Sequence, residues 1–472
     1  MSFVQVEFIG FLTVVYLLYW GRSHRVWQNS VLVVASACFY GWITPWWLIL
    51  LYTSATIDFT VGQLMLRSPR YRRLWLAMSL CSNIGLLLYF KYFNFFIDNV
   101  VVAMTSLGMQ TNLHTLNILL PAGISFYTFQ TLSYTIDIYR GELRPRRSYL
   151  DYLAFVSFFP QLVAGPIERA SRLIPQLEVP RQHSFDNLRS GFGLALYGAF
   201  KKVVIADTIA PYVDKVFLLE SPSGPMIWMA TFGFMLQIYA DFSGYTDLAR
   251  GIARMLGIDL IKNFDEPYMA ASTPEFWQRW HISLSSWIRD YVLTPLLGDQ
   301  AIITRTRFAV AIFVTMVVMG AWHGAGWNFI AFGVFHSFCI LFYVLIQRHL
   351  PDWVQKIPAG RSLAVVVHFI AVGGIGSLMF REPSFARFLQ HVSQSPFGAS
   401  PEEWHVVVSL VVIISLLSLP LVIEHYARRY VMPRLEQSAW YPLALSIVWS
   451  VWIVLIGLPH RTTAADFIYF QF

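Results

Sequence analysis

Charge is what this sequence has least of. Of its 472 residues only 13% are Asp, Glu, Lys or Arg, about half the share of an ordinary soluble domain. With 56% hydrophobic and 17% aromatic residues and a mean hydropathy of +0.53, that scarcity excludes a water-soluble globule. Several apolar stretches approach the ~20 residues that a helix needs to cross hydrocarbon. The alternation of a membrane β-barrel is missing, so the expected class is an all-α polytopic membrane protein. Cysteine is scarce too. Cys38, Cys81 and Cys339 lie in apolar runs without metal-type spacing, and their odd number argues against a disulfide framework. No metal site is expected. P-loop, dinucleotide, zinc and G-x-S-x-G motifs are absent, which removes the common soluble chemistries. Neither an internal repeat nor a low-complexity linker interrupts the chain. One membrane-embedded unit is expected over 1–472, made of N-terminal helices at 1–138, a core at 139–346 and C-terminal helices at 347–472.

The formal charge of +7 is gathered in loops, which speaks for cytoplasmic connections and against nucleic-acid binding. Expected early spans are Phe3–Trp20, Val31–Trp42, Trp46–Leu66, Leu74–Phe90 and Leu119–Ile138. The first lacks a basic start and carries Gln5 and Glu7, so it reads as a retained span and not as a cleaved leader. Arg-rich connections follow alternate spans: "GRSHRVW", "RSPRYRR" and "YRGELRPRR". That alternation places them in the cytoplasm and the N-terminus outside. Next, "YLAFVSFFPQLVAGPIERASRLIPQL" is broken by Pro160, Gly165, Pro166 and Pro175. Proline removes a helix hydrogen bond, so re-entrant or in-plane helices are expected there. Later spans are expected at Gly191–Phe200, Met226–Tyr245, Phe308–Trp322, Trp327–Ile346, Leu363–Phe380, Trp404–Ile423 and Tyr441–Leu458.

Three stretches carry candidate chemistry. In "MVVMGAWHGAGWNFIAFGVFH" an apolar run is broken by His323 beside Gly320, Gly324 and Gly326. The run Phe308–Trp322 spans about 22 Å at ~1.5 Å per residue, short of the ~30 Å hydrocarbon thickness. The break is therefore expected inside the membrane, lining a polar cavity, with the glycines letting the chain open. An imidazole there suits proton transfer; the competing reading is a core histidine bonded to a neighbouring helix. In "EFWQRWHISLSSWIRDYV", Trp277, Trp280, Trp287 and Tyr291 recur at helical spacing. That stripe suits an interfacial helix with tryptophans at headgroup level. It leaves His281 as a second catalytic imidazole or a partner that orients His323. In "QIYADFSGYTDLARGIARMLG", Asp241 and Asp247 precede Arg250 and Arg254, and Asp–Arg pairing between helices is favoured over catalysis. Lys201 and Lys202 suit snorkelling to an interface or a phosphate group of a donor.

Taken together, "LPAGISFYTFQTLSYTIDIYRGE", "FFPQLVAGPIER", "KKVVIAD", "DFSGYTDLARGIARMLG", "FDEPYMAASTPEFWQRWHISLSSWIRDYV", "GAWHGAGWNFIAFGVFH" and the terminal "FIYFQF" resemble the membrane-bound O-acyltransferase family. They resemble most its bacterial polysaccharide branch, typified by alginate O-acetyltransferase. The resemblance implies a ring of helices around a central funnel. It places the family's catalytic histidine on His323 and its second polar active-site residue on His281. Asp241, Asp247, Trp322, Asn328, Lys201, Lys202 and Arg289 are expected to bind or orient substrate or donor.

The same resemblance implies acetyl-coenzyme A as donor, no bound cofactor, and a bacterial inner-membrane location. The reaction it implies is acyl transfer through the membrane for O-acetylation of an extracytoplasmic polysaccharide. Expected partners are membrane lipids and an SGNH-type acetyltransferase or polymer-export machinery. Helices after His336 match mainly in apolar character, which leaves the acceptor open. Three rivals stand beside this reading: D-alanyl or other acyl transfer from a carrier protein to a cell-envelope polymer, a small-molecule transporter, and a non-catalytic scaffold of an export complex.

Overall fold

A computed structural model describes residues 2–42, 44–163, 165–298, 303–347, 358–458 and 467–468, and among these every regular element is helical. The chain forms two compact units, Met1–Phe192 with Ala249–Lys262 and Gly193–Leu248 with Asn263–Phe472. Among the described residues, six stretches are long and apolar enough to cross a membrane: Trp47–Arg67, Pro69–Ser106, Arg305–His323, Trp327–Gln347, Gly360–Arg381 and Pro401–Leu435. Two shorter apolar helices, Val6–Trp20 and Tyr441–Gly457, accompany them.

The first unit begins with α1 (Val6–Trp20), α2 (Arg25–Gly41), α3 (Trp47–Arg67), α4 (Arg72–Leu87), α5 (Phe93–Ser106) and α6 (Ile124–Arg140). The sequence pattern gave no helix between Phe90 and Leu119. In the structure a π segment, Leu88–Tyr92, carries α4 into α5, so Lys91 lies within a helical stretch and not in a connection. Burial of polar groups is compensated: Asp58 on α3 accepts from Ser79 at 2.6 Å and Asn83 at 2.8 Å, both on α4. An unsatisfied carboxylate at that position would be costly. The proline-broken region becomes three short helices, α7 (Tyr149–Ser157), α8 (Phe159–Leu162) and α9 (Ala170–Leu177), each too short to cross a bilayer.

Two helices, α10 (Phe185–Phe200) and α12 (Gly224–Met255), contribute residues to both units. Between them a π segment, Lys201–Ala206, leads into α11 (Asp207–Leu218). Within the second unit α10 and α12 meet at glycines. A Cβ on Gly198 would lie 2.5 Å from the Gly244 carbonyl oxygen, and one on Gly244 would lie 2.8 Å from that of Gly198. Small residues permit such close approach where lipid supplies no hydrophobic drive between helices.

The rest of the second unit contains α13 (Thr273–Arg279), α14 (Ile282–Ile288), α15 (Thr294–Leu297), α16 (Arg305–His323), α17 (Trp327–Gln347) and α18 (Pro358–Val367). A π segment, His368–Gly374, joins α18 to α19 (Ile375–Arg381), and α20 (Phe385–Ser393), α21 (Pro401–Tyr426), α22 (Met432–Leu435) and α23 (Tyr441–Gly457) follow.

Candidate functional site

The break predicted around His323 is present. Helix α16 ends on His323, Gly324 is extended at φ −163° and ψ 159°, and α17 starts at Trp327. The helix begins earlier than the apolar run suggested, because Thr304 caps it by accepting from the Arg307 N–H at 3.2 Å. Its 19 residues rise about 28 Å, so the break lies one full helix length from the Arg305 end.

The glycines have a different job from the one their pattern suggested. A Cβ on Gly320 would lie 2.1 Å from the Phe329 carbonyl oxygen, and one on Gly333 would lie 2.3 Å from that of Met316. At Gly324 it would meet the Phe329 ring at 2.0 Å. These residues close the α16–α17 hairpin tightly; they do not hold it open.

His323 is 3% exposed and is walled by aromatic rings. Its ring centroid lies 5.1 Å from Trp322, 5.1 Å from Phe380 and 6.0 Å from Phe332. It lines a small cavity of about 40 Å³ together with Phe276, Trp277, Trp280, Phe332, His336 and Phe380, among others. That is room for about three water molecules. Of the residues expected to act on or bind substrate, His323 alone is among those lining this cavity; Trp277 and Trp280 of the aromatic stripe line it too.

His281 sits where the aromatic stretch breaks. The single interfacial helix expected there is two short helices, α13 and α14, with His281 between them at φ 44° and ψ 53°. A left-handed conformation is uncommon for a residue with a Cβ and persists where its surroundings over-determine it. Here Asn263 supplies the determination: its carbonyl accepts from Ile282 N–H at 2.9 Å and its Oδ1 accepts from Ser283 N–H at 3.1 Å. Trp277, Trp280 and Trp287 are buried at 7%, 7% and 5% exposure, so they pack inside the protein and do not form an exposed stripe. His281 is fully buried, edge-on to Phe242 at 4.7 Å and to Trp322 at 5.7 Å between ring centroids. It belongs to no helix long enough to cross a membrane, and burial pushes its imidazole down to about 3.

The acidic stretch is a buried ionic cluster. Lys202 Nζ lies 2.7 Å from Asp241 and 2.8 Å from Asp207, all three side chains at most 5% exposed. Asp241 also accepts from the Ile468 N–H at 2.7 Å. Lys201 lies 2.5 Å from Asp247. Lysines are thus ionic partners of these carboxylates, and Arg254 pairs with Asp259 at 3.6 Å. Neither lysine snorkels, because each meets an acid inside the protein. The spacing of Lys201 to Asp247 and of Lys202 to Asp241 is long in sequence, which is why those pairings were not legible there.

Two other expected site residues lie apart from the cavity lining. Asn328 is buried and donates to the Met379 carbonyl at 3.4 Å. Arg289 is 63% exposed and pairs with its neighbour Asp290 at 2.8 Å. Sequence reasoning missed His336, His368 and Asn263. A signal for His336 existed: Phe329, Phe332 and His336 fall three, then four residues apart, on one face of α17.

These features define a multi-pass membrane protein with a buried imidazole at a helix break inside an aromatic cavity. The sequence pattern of the MBOAT, membrane-bound O-acyltransferase family matches residues 140–379, and the chain belongs to that family. It is 39% identical over 345 residues to "Probable alginate O-acetylase AlgI" of Pseudomonas aeruginosa, covering 72% of this chain and 64% of that protein. It is 34% identical over 371 residues to "Peptidoglycan O-acetyltransferase" of Helicobacter pylori, covering 72% and 68%. It is 29% identical over 273 residues to "Teichoic acid D-alanyltransferase" of Bacillus subtilis, covering 53% and 67%. The chain thus spans a little under two thirds of the length of the first of these relatives.

Proposed function

We propose that this protein is an O-acyltransferase that takes an acetyl group from acetyl-coenzyme A on the cytoplasmic side and passes it on for O-acetylation of an extracytoplasmic polysaccharide. The observation that carries this reading is His323, buried at the end of α16 and lining the aromatic cavity. Family membership and the names of two relatives, an alginate O-acetylase and a peptidoglycan O-acetyltransferase, support the choice of acetyl group and polymer. The alternating Arg-rich loops support an inner-membrane protein with its N-terminus outside. A periplasmic SGNH-type acetyltransferase that receives the group fits the same reading.

In the proposed chemistry His323 takes the proton of an acceptor hydroxyl as its oxygen attacks the thioester carbonyl. The carbon–sulfur bond then breaks, and the leaving thiolate receives that proton. His281, held by Asn263 and packed on Trp322, keeps the imidazole region positioned. Its neutral state suits hydrogen bonding rather than charge pairing.

The test is transfer of radiolabelled acetyl from acetyl-coenzyme A in proteoliposomes, with native protein, His323→Ala and His281→Ala compared. Label captured by native protein or an added acceptor, and lost in folded His323→Ala, supports the reading. Transfer that persists unchanged in His323→Ala overturns the role of that residue.

A further inference from the structure

The cavity beside His323 contains a second imidazole that this scheme leaves unused. His336 on α17 is 2% exposed and lines the same cavity. Aromatic rings enclose it: Phe332 at 4.5 Å, Trp277 at 5.2 Å and Phe276 at 6.3 Å between centroids, the last nearly parallel at 10°. Its Nδ1 has no hydrogen-bond partner among the described residues. On the other side, Gly376 makes room for it, since a Cβ there would lie 2.8 Å from His336 Nε2. His368, also buried, stands within electrostatic reach.

A buried polar nitrogen without a partner costs free energy comparable to a lost hydrogen bond. Apolar wall residues would fill this position without that cost, so the imidazole calls for a ligand group that completes it. Resting on the acyltransferase reading above, we propose that His336 is a further catalytic residue that donates its ring N–H to the carbonyl oxygen of the thioester. As the acceptor oxygen bonds to the carbonyl carbon, the carbonyl electron pair moves onto that oxygen, and the donated hydrogen bond strengthens. His336 keeps its proton throughout. The hydroxyl proton passes to His323 and then to the departing thiolate as the carbon–sulfur bond breaks, so the step is balanced. Donors placed where charge develops in the transition state, inside a water-excluded site, are worth far more than in water.

Steady-state acetyl transfer in proteoliposomes, with radiolabelled acetyl-coenzyme A as the probe, tests this with His336→Leu, His336→Gln and His323→Ala. Loss of one such donor is expected to lower kcat about 100-fold in His336→Leu, with KM held within about threefold. The amide N–H of His336→Gln is expected to recover about tenfold of that loss, which a merely space-filling role would not do. Gly376→Ala, which crowds the ring but leaves it chemically intact, is expected to lower kcat without changing KM, and serves if His336→Leu fails to fold. Native-like kcat in folded His336→Leu overturns the inference, as do equal losses in the Leu and Gln variants or native-like kcat in Gly376→Ala. Absence of transfer by native protein, or its survival in His323→Ala, would instead sink the underlying acyltransferase scheme.

Discussion

The Trp322 indole stands edge-on to His281, with centroids 5.7 Å apart and planes at 73°, and Trp322 is the residue that immediately precedes His323. One buried ring thus links the two histidines that the sequence singled out, although they lie on separate elements. Removing it should loosen both imidazoles. Trp322→Ala is expected to lower acetyl transfer about 100-fold, the scale of a ~1 Å misplacement, while Trp322→Phe keeps most activity. Kinetics on both variants at matched reconstitution would check it; equal rates in Trp322→Ala and native protein would remove this ring from the mechanism.

The His281 imidazole gives a prediction about pH. Its folded value near 3 lies below its ordinary 6.5, so between those values the unfolded chain binds the extra proton. Its contribution to stability is therefore complete above about 6.5 and is lost as pH falls towards 3. Between pH 8 and 5 it stays neutral, and titration of this group should leave the transfer rate unchanged. Thermal unfolding in detergent from pH 8 to 4 should show a shallower acid-side decline in His281→Asn than in native protein. Identical slopes would contradict the assignment.

The Lys202–Asp207–Asp241 cluster is expected to be a folding element. Taking away one partner of a buried ionic group leaves uncompensated charge, at a cost of about 3–5 kcal/mol. Lys202→Met should lower thermal stability sharply, and adding Asp207→Asn and Asp241→Asn should restore much of it. The readout is monodispersity and unfolding temperature in detergent. A Lys202→Met protein as stable as the native one would show that the cluster contributes little.

Gly320→Ala should disrupt the α16–α17 hairpin, because the added methyl would sit 2.1 Å from the Phe329 carbonyl oxygen. Overpacking of this kind typically costs about 1–3 kcal/mol. Gly10→Ala, inside α1 where a Cβ meets nothing within 4 Å, serves as the matched control and should be neutral to slightly stabilising. The two unfolding temperatures are the measurement, and a neutral Gly320→Ala would refute the close-packing role.

Composition and periodicity by themselves determined the class of this protein. Scarce charge and long apolar runs leave no alternative to membrane helices, and an ionisable residue beside glycines marks the helix break at His323 because both are costly there without a purpose. The tertiary structure decided what surrounds that break. His336 looks like any residue of an apolar helix until α16, α17 and the segment around Gly376 enclose it with His323. The Trp277–Trp287 stripe reads as a surface anchor, because periodicity records spacing and not what a face meets; folding buries it and turns the chain at His281. Lys201 finds Asp247 and Lys202 finds Asp241 across a long sequence separation, where Gly198 and Gly244 let their helices approach closely. Such pairings depend on which backbones come together, and that is fixed by packing rather than by any local pattern.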